Sequence, residues 1–329
     1  MTTIAAVVIG RNEGERLSPS LRSVLDAGLP LVYVDSGSRD ASPSMARDLG
    51  VPVVSLSSDR PFSAARGRNE GMAEVLRRWP RTEFVMFLDG DCTLDPAFPA
   101  AAKSAFGQYR DCGIVTGHLY ERHPEASLYN RLCSIEWRSP PGFIAGGRGL
   151  GGIMAVRLAA FRAAGGFNEQ AIAGEEADFA ARLALAGWSV LKIDVPMATH
   201  DAHMLLFGQW WRRTTRAGHA MAYRYAAQAG TSSSDARRRV RSALFWGFLL
   251  PVAVLLLLVP TRGASLLFLL GYCWLGSRTY RYYRATGLDG PDARLATQFI
   301  IYGKFPEFLG IMRYGVNRLR GRFHVIDWR

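Results

Sequence analysis

No stretch constrains this chain more than Ser242 to Pro260, SALFWGFLLPVAVLLLLVP, which carries no charge. Crossing a hydrocarbon core as a helix takes roughly 17–25 apolar residues, so the run is long enough to span. A second run, Ala264 to Gly276, is short by that measure and needs Arg278 and Arg281 to snorkel if it is to cross. Basic clusters precede the first run and follow the second, with only Arg262 between them. The positive-inside rule then predicts a hairpin with both ends in the cytoplasm, a re-entrant hairpin being the alternative.

The formal charge of +12 calls for an anionic partner: nucleic acid, an anionic membrane or a phosphorylated substrate. The basic residues crowd beside the apolar runs rather than along an aromatic-bearing face, which argues against nucleic acid and assigns the charge to a membrane surface. Beyond the hairpin, FIIYGKFPEFLGIMRYGVNRLRGRF sets Ile301, Phe305, Phe308, Leu309, Met312, Val316 and Leu319 at helical spacing among basic residues. That pattern suits an interfacial helix or an amphipathic helix packed on the rest of the protein, started or kinked at Pro306.

The first 120 residues or so read differently. Short apolar runs, Ile4 to Ile9, Leu31 to Val34, Val51 to Leu56 and Phe84 to Leu88, alternate with helix-compatible segments, Ser18 to Ala27, Ser63 to Trp79 and Pro96 to Phe106. This is the α/β pattern, with strands covered on both faces. The apolar N-terminal stretch has no preceding basic residue and no cleavage site, so it predicts a strand and a cytoplasmic start. The four cysteines form no CxxC, which predicts neither a zinc site nor a disulfide framework and fits a reducing compartment. Farther on, GGRGLGGIMAVRLAAFRAAGGFNE predicts flexible glycines, a strand and a helix, and EEADFAARLALAGW a helix opened by acids.

Three strands end in polar clusters: GRNEGE, DSGSRD and DGD. In an open parallel sheet these meet in one crevice beyond the carboxyl ends of the strands. Asp89 and Asp91, separated by Gly90, offer hard oxygens to Mg²⁺ or Mn²⁺, although Asp-Gly is also a common turn; ending a buried strand favours the site. Asp35 is placed to accept hydrogen bonds from a base or ribose, with an Asx turn as the local alternative. Arg66, Arg68 and Asn69 supply charge and amide donors near a diphosphate, or else a solvated helix face.

VVIGRNEGERL, VYVDSGSRD, ARGRNEG, FLDGD, GGIMAVRLAAFRAAGGFNE and EEADFAARLALAGW occur in the order and approximate spacing of the family 2 glycosyltransferases, which this chain resembles from Ile4 to about Arg216. The resemblance implies the GT-A fold, a Rossmann-like, mostly parallel sheet, over residues 1–228. A basic linker over 229–241, the hairpin over 242–284 and a basic amphipathic segment over 285–329 complete the expected organisation. It further implies that Asp35 meets the nucleoside base, Asp89 the ribose and metal, and Asp91 the metal, with His200 completing the shell. His203 competes with His200 for that place. The family's base falls on Glu176, a Glu where an Asp is usual, with Glu175 and Asp178 as supporting acids. Gln209, Arg212 and Arg213 in QWWRR resemble the QxxRW motif that meets acceptor or diphosphate, but Arg213 replaces its Trp, which argues against processive synthesis.

The implied activity is inverting transfer of a sugar from a nucleotide-diphospho-sugar to a glycolipid or polysaccharide acceptor. The implied place is a bacterial inner membrane, catalytic domain toward the cytoplasm, in cell-envelope synthesis. A sugar nucleotidyltransferase would carry a longer glycine-rich loop than GRNEGERL after its first strand. A non-catalytic nucleotide-sugar-binding protein has only the Glu at position 176 in its favour.

Overall fold

The computed structural model describes residues 4–144, 150–171, 174–227 and 234–321. The chain runs β1 (Ile4–Gly10), α1 (Leu17–Asp26), β2 (Leu31–Asp35), α2 (Ser42–Asp48), β3 (Val53–Ser55), α3 (Ala64–Arg78), β4 (Phe84–Asp89) and β5 (Cys92–Leu94). It continues through α4 (Phe98–Gln108), β6 (Cys112–Glu121), α5 (Leu128–Glu136), β7 (Gly142–Phe143), β8 (Met154–Arg157), α6 (Leu158–Ala163), α7 (Glu175–Leu185) and β9 (Ser189–His200). Five helices follow: α8 (Phe207–Ala227), α9 (Ser234–Leu244), α10 (Leu250–Leu257), α11 (Leu270–Ala285) and α12 (Gly290–Leu319).

All the strands join one mixed sheet, ordered β3-β2-β1-β4-β8-β6-β9-β5, with β7 also on β9. The first four in that order are parallel, and β8 runs antiparallel to both β4 and β6. Alternation along each strand divides the core. Ala6 and Val8 of β1 and Met86 and Leu88 of β4 pack with α1 and α4 on one face, while Val7 and Phe87 pack with α3 and α7 on the other. Such two-sided burial is why these strands read as unbroken apolar runs. The order reverses at β1, and register sets Gly10 beside Asp35 and Ile9 beside Asp89. Both acids therefore stand at the carboxyl end of the sheet where the strand order switches, the expected place for a ligand.

By packing, the chain divides into two units. The sheet and its helices form the first, Met1–His123 with Glu136–His203 and a terminal piece outside the described residues; Pro124–Ile135 and Met204–His324 form the second. By packing, α8 falls with the later helices in the second unit. Its Trp210 meets Phe299 of α12 edge-on, with centroids 4.9 Å apart. A Cβ on Gly310 of α12 would collide with the Thr215 carbonyl of α8, so the two helices touch backbone to backbone. Small residues at a crossing are the usual device of helices that associate without a hydrophobic driving force. Beside that crossing lies a largely buried ion pair, Lys304 Nζ to Glu307 Oε2 at 2.9 Å.

Of the expected linker, 229–233 lies outside the described residues and the remainder is helical, within α9. The expected glycine-rich stretch before β8 is likewise described only from Leu150 onward. Among the described residues one helix, Ala236–Leu257, is long and apolar enough to cross a membrane, with mean hydropathy 2.0. It contains a π-helical turn, Phe245–Leu249, just before Pro251. A proline ring collides with the carbonyl four residues back, and widening the turn relieves that clash. The second run forms a 3₁₀ segment, Ala264–Leu269, and then α11, which falls short of the same test. Leu255 and Leu256 of α10 and Leu267, Phe268 and Trp274 of the second run are each at least half exposed. Helix α12 begins well before Pro306, at Gly290, where the Asp289 carboxylate accepts from Asp292 N at 2.7 Å. Pro306 therefore lies inside the helix and does not start it.

Candidate active site

The carboxyl end of the sheet gathers acids from β2, β4, the β4–β5 turn and the start of α7. Asp35 is buried and both its oxygens are engaged: Tyr33 donates to Oδ1 at 3.2 Å, and Gly37 N and Ser38 N donate to Oδ2 at 3.1 and 2.9 Å. This is the Asx turn weighed from sequence, and it fixes the loop after β2. Burial first and the Asp35 charge second push the Tyr33 phenol up.

Arg68 organises the centre. Its Nη1 reaches Glu175 Oε1 at 2.7 Å, its Nη2 reaches Asp89 Oδ1 at 3.0 Å, and Glu176 Oε1 lies 3.8 Å away. Burial disfavours its charge, yet the carboxylates of Asp89, Glu176 and Glu175 outweigh that and raise its pKa. The Asp89 carboxyl moves up, chiefly by burial, with Arg68 opposing. Glu176 is raised to about 8 by burial and then by the neighbouring Glu175. Gly152 closes the pair from above: a Cβ there would strike the Arg68 guanidinium and come within 2.5 Å of Asp89 Oδ2.

The other acids and donors named from sequence are placed as follows. Asp178 Oδ2 is taken by Arg182 on the next turn of α7, at 2.9 Å. Arg66 Nη1 donates to the Ser57 and Arg60 carbonyls, each at 2.9 Å, and so holds the loop after β3. Asn69 braces the chain after α6, donating to Phe167 O at 2.9 Å and accepting from Phe167 N at 2.9 Å. Of the three, Arg68 reaches Asp89 and Glu175, while the bonds of Arg66 and Asn69 run to the loop after β3 and to the chain after α6. Three polar residues on a helix of mostly small ones look alike in sequence; their direction is set by which helix face the sheet covers.

Asp91 stands apart from that cluster. Its Oδ2 lies 3.5 Å from His200 Nε2 and 3.9 Å from Arg16 Nη1. Asp91, Cys92 and His200 bring ligand atoms within 4.8 Å of one another. Burial first and the Asp91 charge second raise the Cys92 thiol well above its ordinary pKa, while Asp91 and His200 offer the hard oxygen and the imidazole nitrogen that suit Mn²⁺ or Mg²⁺. Burial opposes charge on His200, but Asp91 and Glu121 outweigh it and raise its pKa. Trp137 meets the imidazole edge-on at 4.7 Å. His203 is exposed, two residues past the end of the Asp201 backbone bond to Asp91 O. Glu121 and Trp137 were not singled out in the sequence; no local motif marks either.

Gln209, Arg212 and Arg213 lie on α8 in the second unit. Gln209 Oε1 accepts from Leu205 N and Leu206 N, both at 2.8 Å, and so caps its own helix. Burial first, then Arg213 and Arg212, lowers the pKa of Arg216, a sign of crowded positive charge on this helix.

A parallel core with an antiparallel β8, an Asp-Gly-Asp turn at the switch point and an acidic helix start define a GT-A glycosyltransferase. Residues 5–164 match the family described as Glycosyl transferase family 2, and that part of the chain is a family 2 glycosyltransferase domain. Among solved structures, the chain is similar to the mannosyltransferase PcManGT from Pyrobaculum calidifontis in complex with GDP-Man and Mn²⁺. That likeness has a TM-score of 0.62 at 15% identity, over 96% of this chain and 88% of that one. S. aureus TarS 1-349 is similar at a TM-score of 0.50 and 11% identity, over 100% and 95%. A TPR repeat-containing protein of Synechococcus elongatus is 33% identical over 91 residues, which is 28% of this chain and only 21% of that protein.

Proposed function

We propose that the protein moves a sugar, with inversion, from a nucleotide-diphospho-sugar to a hydroxyl of a glycolipid or polysaccharide acceptor at the cytoplasmic face of a bacterial inner membrane. The observation that carries this is Glu176, a partly open carboxyl held beside the buried Arg68 and its half-open partner Asp89 at the strand switch point. The fold shared with a mannosyltransferase seen with GDP-Man and Mn²⁺ supports the donor class.

In this reading Glu176 takes the acceptor hydroxyl proton as that oxygen attacks the anomeric carbon, and positioned general-base catalysis contributes about 10²–10⁴-fold. Arg68 keeps Asp89 oriented toward the ribose side and holds Glu175 away from the acceptor. The Asx turn at Asp35 fixes the loop against which the nucleoside rests. Asp91 and His200 would hold Mn²⁺ or Mg²⁺, which when bound supplies positive charge against the departing diphosphate. The helix Ala236–Leu257, with Arg237, Arg238, Arg239 and Arg241 at its start, anchors the chain.

The test is a donor screen. Purified full-length protein is mixed with membrane lipid extract, Mn²⁺ or Mg²⁺ and a panel of nucleotide-sugars, and release of nucleoside diphosphate is followed. Acceptor-dependent release from one donor is expected; no transfer from any would reduce the protein to a binding role.

A further inference from the structure

Glu121 has no part in the reaction as described, yet it is among the most enclosed acids in the molecule, its side chain fully shielded from solvent. It ends β6 directly opposite His200, which ends β9, and the two strands are further tied by Arg122 N donating to His200 O at 2.9 Å. Its two oxygens accept separate backbone bonds, Oε1 from His123 N at 3.3 Å and Oε2 from Ala202 N at 3.2 Å. Those bonds aim the carboxylate at the imidazole. Oε2 stands 3.8 Å from His200 Nδ1, a buried nitrogen with no hydrogen-bond partner at that distance. The opposite ring nitrogen, Nε2, faces Asp91 at 3.5 Å, and Trp137 limits the ring's rotation.

An imidazole can ligate a cation only through a nitrogen that carries no proton, and which nitrogen that is depends on what the other one bonds. We propose that Glu121 is the positioning residue of the His200 ligand: its carboxylate accepts the Nδ1 proton, so that Nε2 presents its lone pair beside Asp91. The proposal rests on Asp91 and His200 being the cation ligands. The 3.8 Å separation exceeds hydrogen-bond length by less than about 1 Å, within reach of a modest side-chain adjustment of the carboxylate. Nothing else among the described residues supplies a carboxylate on that side of the ring.

The experiment uses full-length protein labelled with ¹⁵N-histidine in detergent, metal-free, with the His200 signals assigned by their loss in His200→Gln. Long-range nitrogen–proton spectra read which ring nitrogen holds the proton, and calorimetry reads Mn²⁺ affinity. At alkaline pH, where the ring is neutral despite its raised pKa, wild type should hold its single proton on Nδ1. Glu121→Ala should move population to the Nε2-protonated form and weaken Mn²⁺ by about 10–100-fold. Glu121→Gln keeps an acceptor oxygen, so it should retain the Nδ1 proton and most of the affinity. An Ala variant with wild-type tautomer and wild-type Mn²⁺ affinity overturns the proposal. If Asp91→Asn binds Mn²⁺ as wild type does, the cation site itself is misplaced and the positioning role falls with it. Loss in Asp91→Asn but not in Glu121→Ala overturns the positioning role alone.

Discussion

Arg68 and Glu175 meet at 2.7 Å with both side chains closed off from water, one from α3 and one from the first turn of α7. The contact bridges residues far apart in the chain and is the pivot on which the acids of the site are hung. A buried charge is tolerable only with its partner, and removing one member of such a pair costs about 3–5 kcal/mol. Arg68→Met should therefore lower the unfolding midpoint and abolish transfer. Arg68→Lys keeps the charge but not the two-pronged geometry, so it should recover much of the stability and little of the activity. Thermal melts in detergent beside turnover assays check this; an Arg68→Met protein as stable as wild type would show that the buried pair does not hold the fold.

Glu176 and Asp178 should separate cleanly by role. Glu176→Gln should leave donor binding near normal and cut turnover by about 10²-fold or more. Glu176→Asp withdraws the carboxylate by one methylene and should keep part of the activity. Asp178→Asn breaks the 2.9 Å bond to Arg182 and should cost stability more than turnover. Steady-state transfer with calorimetric donor binding reads all three, and normal turnover in Glu176→Gln would move the base elsewhere.

The raised pKa of Glu176 gives the reaction a pH signature. The base form is the carboxylate, so kcat/KM for the free enzyme should climb as pH rises toward about 8 and lose that limb in Glu176→Gln. A bound cation and its positive charge should draw the limb to lower pH. Stability carries the opposite sign. The folded pKa stands above the ordinary value of 4.5, so the neutral carboxyl favours the fold at low pH and that contribution fades as pH passes about 8. Glu176→Gln should thus gain stability relative to wild type in alkaline buffer, and a difference in melting temperature that does not change with pH would refute the assignment.

Much of this site is legible locally. A strand buried on both faces announces itself as an apolar run, and the abrupt acids at Asp89 and Asp91 mark where burial ends. What is not legible depends on long-range register. Arg68 sits in ARGRNEG beside Arg66 and Asn69, and only the packing of α3 on β1 decides that Arg68 turns to the acids. Glu121 gains its meaning from β9, nearly eighty residues later, by one pairing of strand ends. The place of α8 is hidden for a similar reason: WWRRTTRAGHAMAYR is amphipathic on any partner, and its neighbour α12 comes long after it in the chain.

That last relationship changes where the protein can be cut. The full chain should stay with membranes through high salt and carbonate, because the apolar face around Leu255, Leu256 and Phe268 has no polar way to meet water. Release by carbonate would mean that the segment does not insert. A chain ending near Ser234 loses the apolar helix but also strips α12 from α8, uncovering Trp210, Met221 and the Gly218 crossing. Such a chain should aggregate despite lacking the membrane segment. Ending at His203 instead keeps β9 and the whole sheet and removes α8, leaving α5 alone of the second unit with its α12-facing side uncovered, so this shorter chain should be the more soluble of the two. Sedimentation of both after expression without detergent decides it: a soluble Ser234 end and an insoluble His203 end would place α8 back with the sheet.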